Sequence, residues 1–348
     1  MTGPAGPPAT GDLARRLDGL AAAAPRATAV AAAAVDGSGR EAVAGPAHAV
    51  FEAGSVSKTF TALLLAAAAD RGEASAHDPA ARYLPAGVRP RGPGAAAVRL
   101  LHLATHTSGL PRLPPNLYPV AAPHWWTTPY ADYTEEHLLR ATARARPAPG
   151  RRVRYSNFGV GLLGYLLTRA AGQSHPEGYP ALLAERISNP LGLARTTAVP
   201  TAPATAKPPP GLVTGSRRGR PVPPMTRHGL TAAGGVHTTA ADLLRYLRCH
   251  LDPGAAPPPL ARALRETLRP RLARRGGDRL ALVWNIRDVA GRETYFHCGA
   301  TRGHTVFAGF CPEAGVALAA LAATTASPGD RFVPAAYLLL RELVSEAA

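Results

Sequence analysis

"GSVSKTF", residues 54–60, holds one of only two lysines in a chain of 348 residues that carries 39 Lys and Arg in all; the other is Lys207. Arginine stays protonated at any working pH, whereas a lysine amine can be desolvated and tuned to release its proton, so the two are not interchangeable in acid/base chemistry. Lys207 lies in "ATAKPPPG", a proline-rich stretch that reads as exposed loop, where any solubilising residue serves. Lys58 opens a different kind of segment. In "SVSKTFTALLLAAAADRG" the apolar residues Phe60, Leu63, Leu64 and Ala67 recur at helical spacing, and Gly72 after Arg71 supplies a stop. Ser55 and Lys58, three apart, share one face of the first turn. There the free N–H groups and the positive end of the helix dipole stabilise a developing oxyanion and disfavour an ammonium, a setting that suits an acylated serine with an amine beside it. Alone, S-x-x-K equally describes a helix-capping serine followed by a surface charge.

Working outward, a short amphipathic helix is expected near 11–23, followed by two strands in "ATAVAAAAVDGSGREAVAG" joined at the hairpin signal Asp36-Gly37-Ser38-Gly39. Residues 73 to about 230 carry helical stretches near 98–105, 134–144, 158–171 and 178–188 between long proline-rich connections. Thr239-Ala240-Ala241-Asp242 is a capping pattern opening "ADLLRYLRCHL", and a further helix is expected near 258–268. From 279 onward "RLALVWNI", "RETYFHCG", "HTVFAGF" and "VALAALAATT" are strand-like runs, and "RFVPAAYLLLRELVSEA" closes as a helix. The expected fold class is α/β in the α+β sense: a central antiparallel sheet built from both chain termini and flanked by helices, with a mainly helical section inserted. We read 1–348 as a single catalytic domain, with 10–72 plus 231–348 as the α/β part and 73–230 as the helical part.

Composition narrows the function classes. At 46% hydrophobic residues the chain has ample material for a core. The formal charge of +16 is spread over arginines that cluster only in short pairs, such as those at 151–152, 217–218 and 274–275, so no nucleic-acid partner is expected. Cys249, Cys298 and Cys311 are odd in number and lack C-x-x-C spacing, which argues against a disulfide framework or a structural zinc. With no apolar h-region near the first residues and no long apolar run, no membrane partner is expected, and the expected location is cytoplasmic.

Two further stretches hold chemistry in the right order. In "RYSNFG", Tyr155 and Asn157 stand two apart before a helix: a tyrosine relays a proton when cations hold its pKa down, and an asparagine donates to a substrate carbonyl while accepting from a lysine. In "YFHCGATRGHTVF", His297-Cys298-Gly299 lies on an expected strand, where Gly299 lets a substrate backbone approach and the next N–H can face an oxyanion. Each is weak alone. Together the three resemble the serine β-lactamase and penicillin-binding-protein superfamily, and Tyr-Ser-Asn as the middle element resembles its class C β-lactamase, DD-peptidase and esterase branch. "LLHLATHTSGLPRLP" (100–114), "GLTAAGGVHTTAADLLRYL" (229–247) and "GATRGHTVFAGFCPEAGVALAALAATT" (299–325) look similar as well, so the resemblance runs from roughly 25 to 345. It implies that Ser55 is the acylated nucleophile, that Lys58 takes or holds its proton, and that Tyr155 shuttles protons to the leaving group and from the attacking water or acceptor. It further implies an oxyanion hole made by the Ser55 and Ala300 amides, with Asn157 orienting the acyl side and His297 standing where many relatives have a lysine. A histidine there is only partly charged near neutrality, which weakens the expectation of penicillinase activity.

Several other patterns have ordinary readings. Gly159-Val160-Gly161-Leu162-Leu163-Gly164 matches G-x-G-x-x-G but sits inside a helical pattern, where the glycines permit close packing. His102 and His106 have the spacing of a zinc helix without its glutamate, so a helix end is expected and no metal. Trp125 and Trp126 either wall a pocket or anchor a loop, Cys298 is expected to point away from His297 into the core, and Arg302 either meets a substrate carboxylate or is solvated. No cofactor is expected. The reading is a serine acyl-enzyme hydrolase acting on a small ester, amide or lactam; the alternatives are an acyltransferase of the same fold in small-molecule biosynthesis and a non-catalytic binder of acyl ligands. Without a visible export signal, an esterase or transacylase is favoured over a cell-wall peptidase or a secreted β-lactamase.

Overall fold

The computed structural model describes residues 10–172, 178–198, 208–225, 229–326 and 331–347; Lys207 and the proline-rich stretch 200–207 lie outside them. Helix α1 (Thr10–Asp18) precedes β1 (Val30–Val35) and β2 (Glu41–Ala44). The hairpin between them is held by Asp36, whose carboxylate accepts from the Ser38 and Arg40 amides at 2.9 and 3.1 Å. Strand β3 (Phe51–Glu52) passes through one 3₁₀ turn, Gly54–Val56, into α2 (Ser57–Asp70). The helical section follows with α3 (Leu100–Ala104), α4 (Leu117–Ala121), α5 (Glu135–Arg144), α6 (Asn157–Ala170) and α7 (Tyr179–Leu183). Short strands β4 (Thr197–Ala198), β5 (Ser216–Arg217), β6 (Arg220–Pro221) and β7 (Val236–Thr238) lead to α8 (Ala240–Leu251) and α9 (Pro258–Leu268). The chain ends in β8 (Leu272–Ala273), β9 (Arg279–Leu280), β10 (Asn285–Val289), β11 (Arg292–Ala300), β12 (Thr305–Cys311), β13 (Val316–Ala322) and α10 (Phe332–Glu346).

The large sheet runs β2-β1-β13-β12-β11-β10-β9-β8 and is antiparallel throughout. Its two halves, one from each end of the chain, meet where β1 pairs β13 from Val30↔Ala322 to Val35↔Ala317. Both β12 and β13 are buried along their whole length, which is why they read as unbroken apolar runs rather than alternating ones. One face of the sheet packs on α1 and α10, the other on the main core that contains α2 and α8. Helix α2 is buried from Ser57 to Ala68, so its apolar residues surround the axis instead of forming a stripe. Leu63 inside it has no exposed surface, and its truncation to alanine costs about 2–5 kcal/mol.

One expected strand is broken. "RLALVWNI" splits into β9 and β10, because residues 281–284 leave strand geometry in a turn closed by Ala281 N–H donating to the Trp284 carbonyl at 3.0 Å, with Val283 at φ +70°. Alternation would have sent two of these four apolar residues outward, whereas the turn buries all four, with Trp284 edge-on to Phe310 at 5.1 Å. The glycine-rich pattern in α6 is a packing surface: Cβ atoms at Gly161 and Gly164 would fall 2.5 and 2.1 Å from Leu230 and Ala232.

Candidate active site

Two glycines place the start of α2. Gly54 has φ +52°, and a Cβ there would lie 2.8 Å from the Ala300 nitrogen. From the opposite side, a Cβ on Gly299 would lie 2.2 Å from the Ala53 carbonyl oxygen and 2.7 Å from the Ser55 nitrogen. The turn carrying Ser55 therefore rests directly on the backbone of β11. Strand β10 pairs with β11 only up to Phe296, so beyond it the edge of β11 is open to that turn. The Thr301 amide donates to the His304 carbonyl at 2.8 Å across the β11–β12 hairpin. By antiparallel alternation the Gly299 amide also faces β12, and that of Ala300 faces the Ser55 side.

Ser55 Oγ receives two hydrogen bonds, from Lys58 Nζ at 3.0 Å and from the Tyr155 hydroxyl at 2.6 Å. Lys58 is wholly buried and also donates to the Ala233 carbonyl at 2.5 Å. Its Nζ lies 4.9 Å from the centre of the Tyr155 ring. A hydroxyl oxygen that accepts twice directs its own hydrogen away from both donors. For Ser55 to attack a carbonyl carbon, one of these bonds must reverse, so that Lys58 or Tyr155 accepts the proton it now faces. Ser57, by contrast, is buried and accepts from the Val236 amide at 3.0 Å, a structural bond.

Tyr155 arrives from the loop before α6, where Ser156 caps the helix by accepting from the Gly159 amide at 2.8 Å. Asn157, 8% exposed, donates its backbone amide to the Arg112 carbonyl at 2.8 Å, and its Oδ1 is buried without a hydrogen-bond partner. The bond expected from Lys58 to Asn157 is thus not formed; the amine is turned to Ala233 and Ser55 instead.

Two residues to which the sequence reading gave no place in the site complete the surroundings of Tyr155. The His106 ring lies 4.5 Å from the tyrosine ring, and its Nδ1 accepts from the Ser156 amide at 3.2 Å. The exposed Arg112 holds its guanidinium 5.4 Å from the same ring. Both lie in the 100–114 stretch; the spacing of His106 from His102 pointed only to a helix end, and Arg112 has no spacing that marks it. His102 accepts from the Arg99 amide at 3.1 Å at the start of α3, and among the described residues no three His, Cys, Asp or Glu side chains gather as a metal site would require. Trp125 stacks on Tyr118 at 5.6 Å and gives its carbonyl to Arg302, while Trp126 is 69% exposed beside Arg217. Cys298 points away from His297, as alternation requires, but it is exposed rather than in the core.

The histidines of the site are neutral. Burial first, and then the charge of Lys58, push His106 and His297 each down to about 3. The expectation of a partly charged ring at 297 is corrected accordingly. Burial likewise pushes His237 and His250 down to about 4. All four are depressed below the free-histidine value of about 6.5, so the unfolded chain binds their protons first as pH falls. Their stabilisation is complete above about pH 6.5 and is lost on the way down to pH 3–4, at up to about 1.4 kcal/mol per pH unit for each. The melting temperature is therefore expected to fall steeply between pH 6.5 and pH 4.5; calorimetry across that range checks it, and a flat profile would contradict these assignments.

The Beta-lactamase family model matches residues 13–342, nearly the whole chain. The chain belongs to the beta-lactamase family. Among members of the family, it is 30% identical over 200 residues to D-alanyl-D-alanine-carboxypeptidase/endopeptidase AmpH of Escherichia coli (strain K12), covering 57% of this chain and 48% of that protein. It is 28% identical over 321 residues to Penicillin-binding protein 4 of Amycolatopsis lactamdurans, covering 86% of this chain and 77% of that one. The aligned part thus spans about half the length of the AmpH relative. The class C beta lactamase of Rhodobacter sphaeroides superposes with a TM-score of 0.75 at 22% identity, covering 94% of this chain and 99% of that one, and so shares the fold.

Proposed function

We propose that this beta-lactamase-family chain is a serine acyl-enzyme hydrolase acting on small esters, amides or lactams. The observation that carries the reading is the joint contact of Lys58 and Tyr155 with Ser55 Oγ at the start of a buried helix. Ser55 gives its proton to the Lys58–Tyr155 pair and attacks the carbonyl carbon. The oxyanion forms between the Ser55 and Ala300 amides, Tyr155 passes a proton to the leaving group, and water then releases the acyl group by the same route in reverse. Asn157, with its free Oδ1, meets the acyl side. Relatives named as a carboxypeptidase and as beta-lactamases support amide and lactam substrates. The neutral, buried ring of His297 supports neutral esters, because it offers a substrate carboxylate no cation.

A panel of p-nitrophenyl esters, nitrocefin and a D-Ala-D-Ala peptide tests this reading. Turnover of at least one, with esters ahead of the two carboxylate-bearing substrates, is expected; no turnover of any of them, together with no acylation of Ser55, would overturn it. His297→Lys sharpens the comparison. A fixed cation in place of the neutral ring is expected to raise the ratio of kcat/KM for carboxylate-bearing over neutral substrates by about tenfold or more, the scale of one charged hydrogen bond. An unchanged ratio would show that residue 297 does not face the substrate carboxylate.

A further inference from the structure

Outside the reacting groups, the structure buries a glutamate–histidine pair beside the two segments that carry the amides read above as oxyanion donors. Glu52 is 3% exposed and stands on β3, three residues before Ser55. Its Oε2 lies 3.2 Å from Nδ1 of His304, which is 1% exposed, and its Oε1 accepts from the Met225 amide at 2.5 Å. The other ring nitrogen of His304 lies 3.2 Å from the Val213 carbonyl, and the ring stands edge-on to Phe51 at 5.8 Å. Thr301, the residue after Ala300, completes the cluster. Its hydroxyl oxygen accepts from the Gly303 and His304 amides at 3.2 and 3.0 Å, which fixes the turn that carries His304.

We propose that Glu52, His304 and Thr301 are positioning residues that fix the spacing of the Ser55 and Ala300 amides; the inference rests on the reading of those amides as the oxyanion hole. Glu52 is tied by the chain to one donor and by its contact with His304 to the hairpin that follows the other, whose turn Thr301 holds in shape. A shift of the β11–β12 turn relative to β3 has to stretch that contact. Stability alone does not account for the pair, since apolar residues of similar volume usually serve a buried position as well or better. Burial pushes the Glu52 carboxyl up, but His304, Thr301 and the Met225 amide outweigh it and hold the group below its ordinary value. The carboxylate is therefore the form that the site is built around. Among the described residues His237, opposite Glu52 across the β3–β7 pair, is a further titratable neighbour, and burial keeps it neutral.

The test measures the single-turnover acylation of Ser55 by p-nitrophenyl butyrate, its dependence on ester concentration, and thermal melting, in wild type and in Glu52→Gln, Thr301→Val and Thr301→Ser. Thr301→Val keeps the shape and adds no charge, so it remains informative even where Glu52→Gln fails to fold. Folded Glu52→Gln and Thr301→Val are expected to acylate roughly 10- to 100-fold more slowly at saturating ester with little change in half-saturation, as a small misplacement of an oxyanion donor predicts. Thr301→Ser, which keeps the hydroxyl, is expected within about threefold of wild type on the same grounds. Acylation of Thr301→Val at the wild-type rate, or a change confined to half-saturation, would overturn the proposal. A wild-type protein that is never acylated at Ser55 would overturn the functional reading and this inference with it.

Discussion

Replacement of Ser55 by alanine is expected to lower kcat on the best substrate by roughly 10⁴- to 10⁶-fold, the usual cost of losing a nucleophile from a group that acts as a unit. The same change at Ser57 is the control. Ser57 is equally close in sequence, but its oxygen accepts from the Val236 amide and has no contact with Tyr155 or Lys58 in the hydrogen-bond network around Ser55. Ser57→Ala is expected to lower stability by about 1–3 kcal/mol, because it leaves a buried N–H without its acceptor, and to retain most of the activity. Steady-state kinetics with melting curves on both variants check the contrast. Equal losses, or activity surviving in Ser55→Ala, would remove Ser55 from the role of nucleophile.

The second large effect is expected at Lys58. This side chain has no exposed surface and reaches both the Ala233 carbonyl and Ser55 Oγ. Its charge also reaches His106 and His297, where it helps keep both rings unprotonated. Lys58→Arg keeps a positive charge but removes the capacity to accept a proton, since guanidinium does not deprotonate in proteins. A loss of roughly 10²-fold or more in kcat/KM is expected for a folded variant, the usual contribution of a general base. Activity within a few-fold of wild type would show that charge alone suffices at this position. The chain places arginine almost everywhere else, so the lysine at 58 is itself the anomaly that this comparison explains.

The parts of the fold that could be read in the sequence are those whose burial is set by local pattern. Helices α2, α8 and α9 announce themselves by apolar spacing with Gly72, Thr239 and proline at their ends. Strands β12 and β13 are continuous apolar runs because both their faces are covered. The break at 281–284 was not readable, since "ALVW" suits a strand equally well and only the tertiary position of Trp284 favours the turn. Cys298 shows the same limit: alternation gives its direction, but not how far it is exposed. In the site, Ser55, Lys58, Tyr155, Asn157, His297, Gly299 and Ala300 were selected by motif order and spacing. His106, Arg112, Ala233 and the pair Glu52–His304 were not, because each acts through contacts between segments far apart in the chain, which no local spacing encodes.

The most direct test of the account is the intact mass of the protein after incubation with a fluorophosphonate or an activated ester, followed by peptide mapping. The account predicts one adduct per chain, on Ser55, which is absent from Ser55→Ala and present in Ser57→Ala. A wild-type mass that stays unmodified, or an adduct that maps elsewhere and persists in Ser55→Ala, would contradict it.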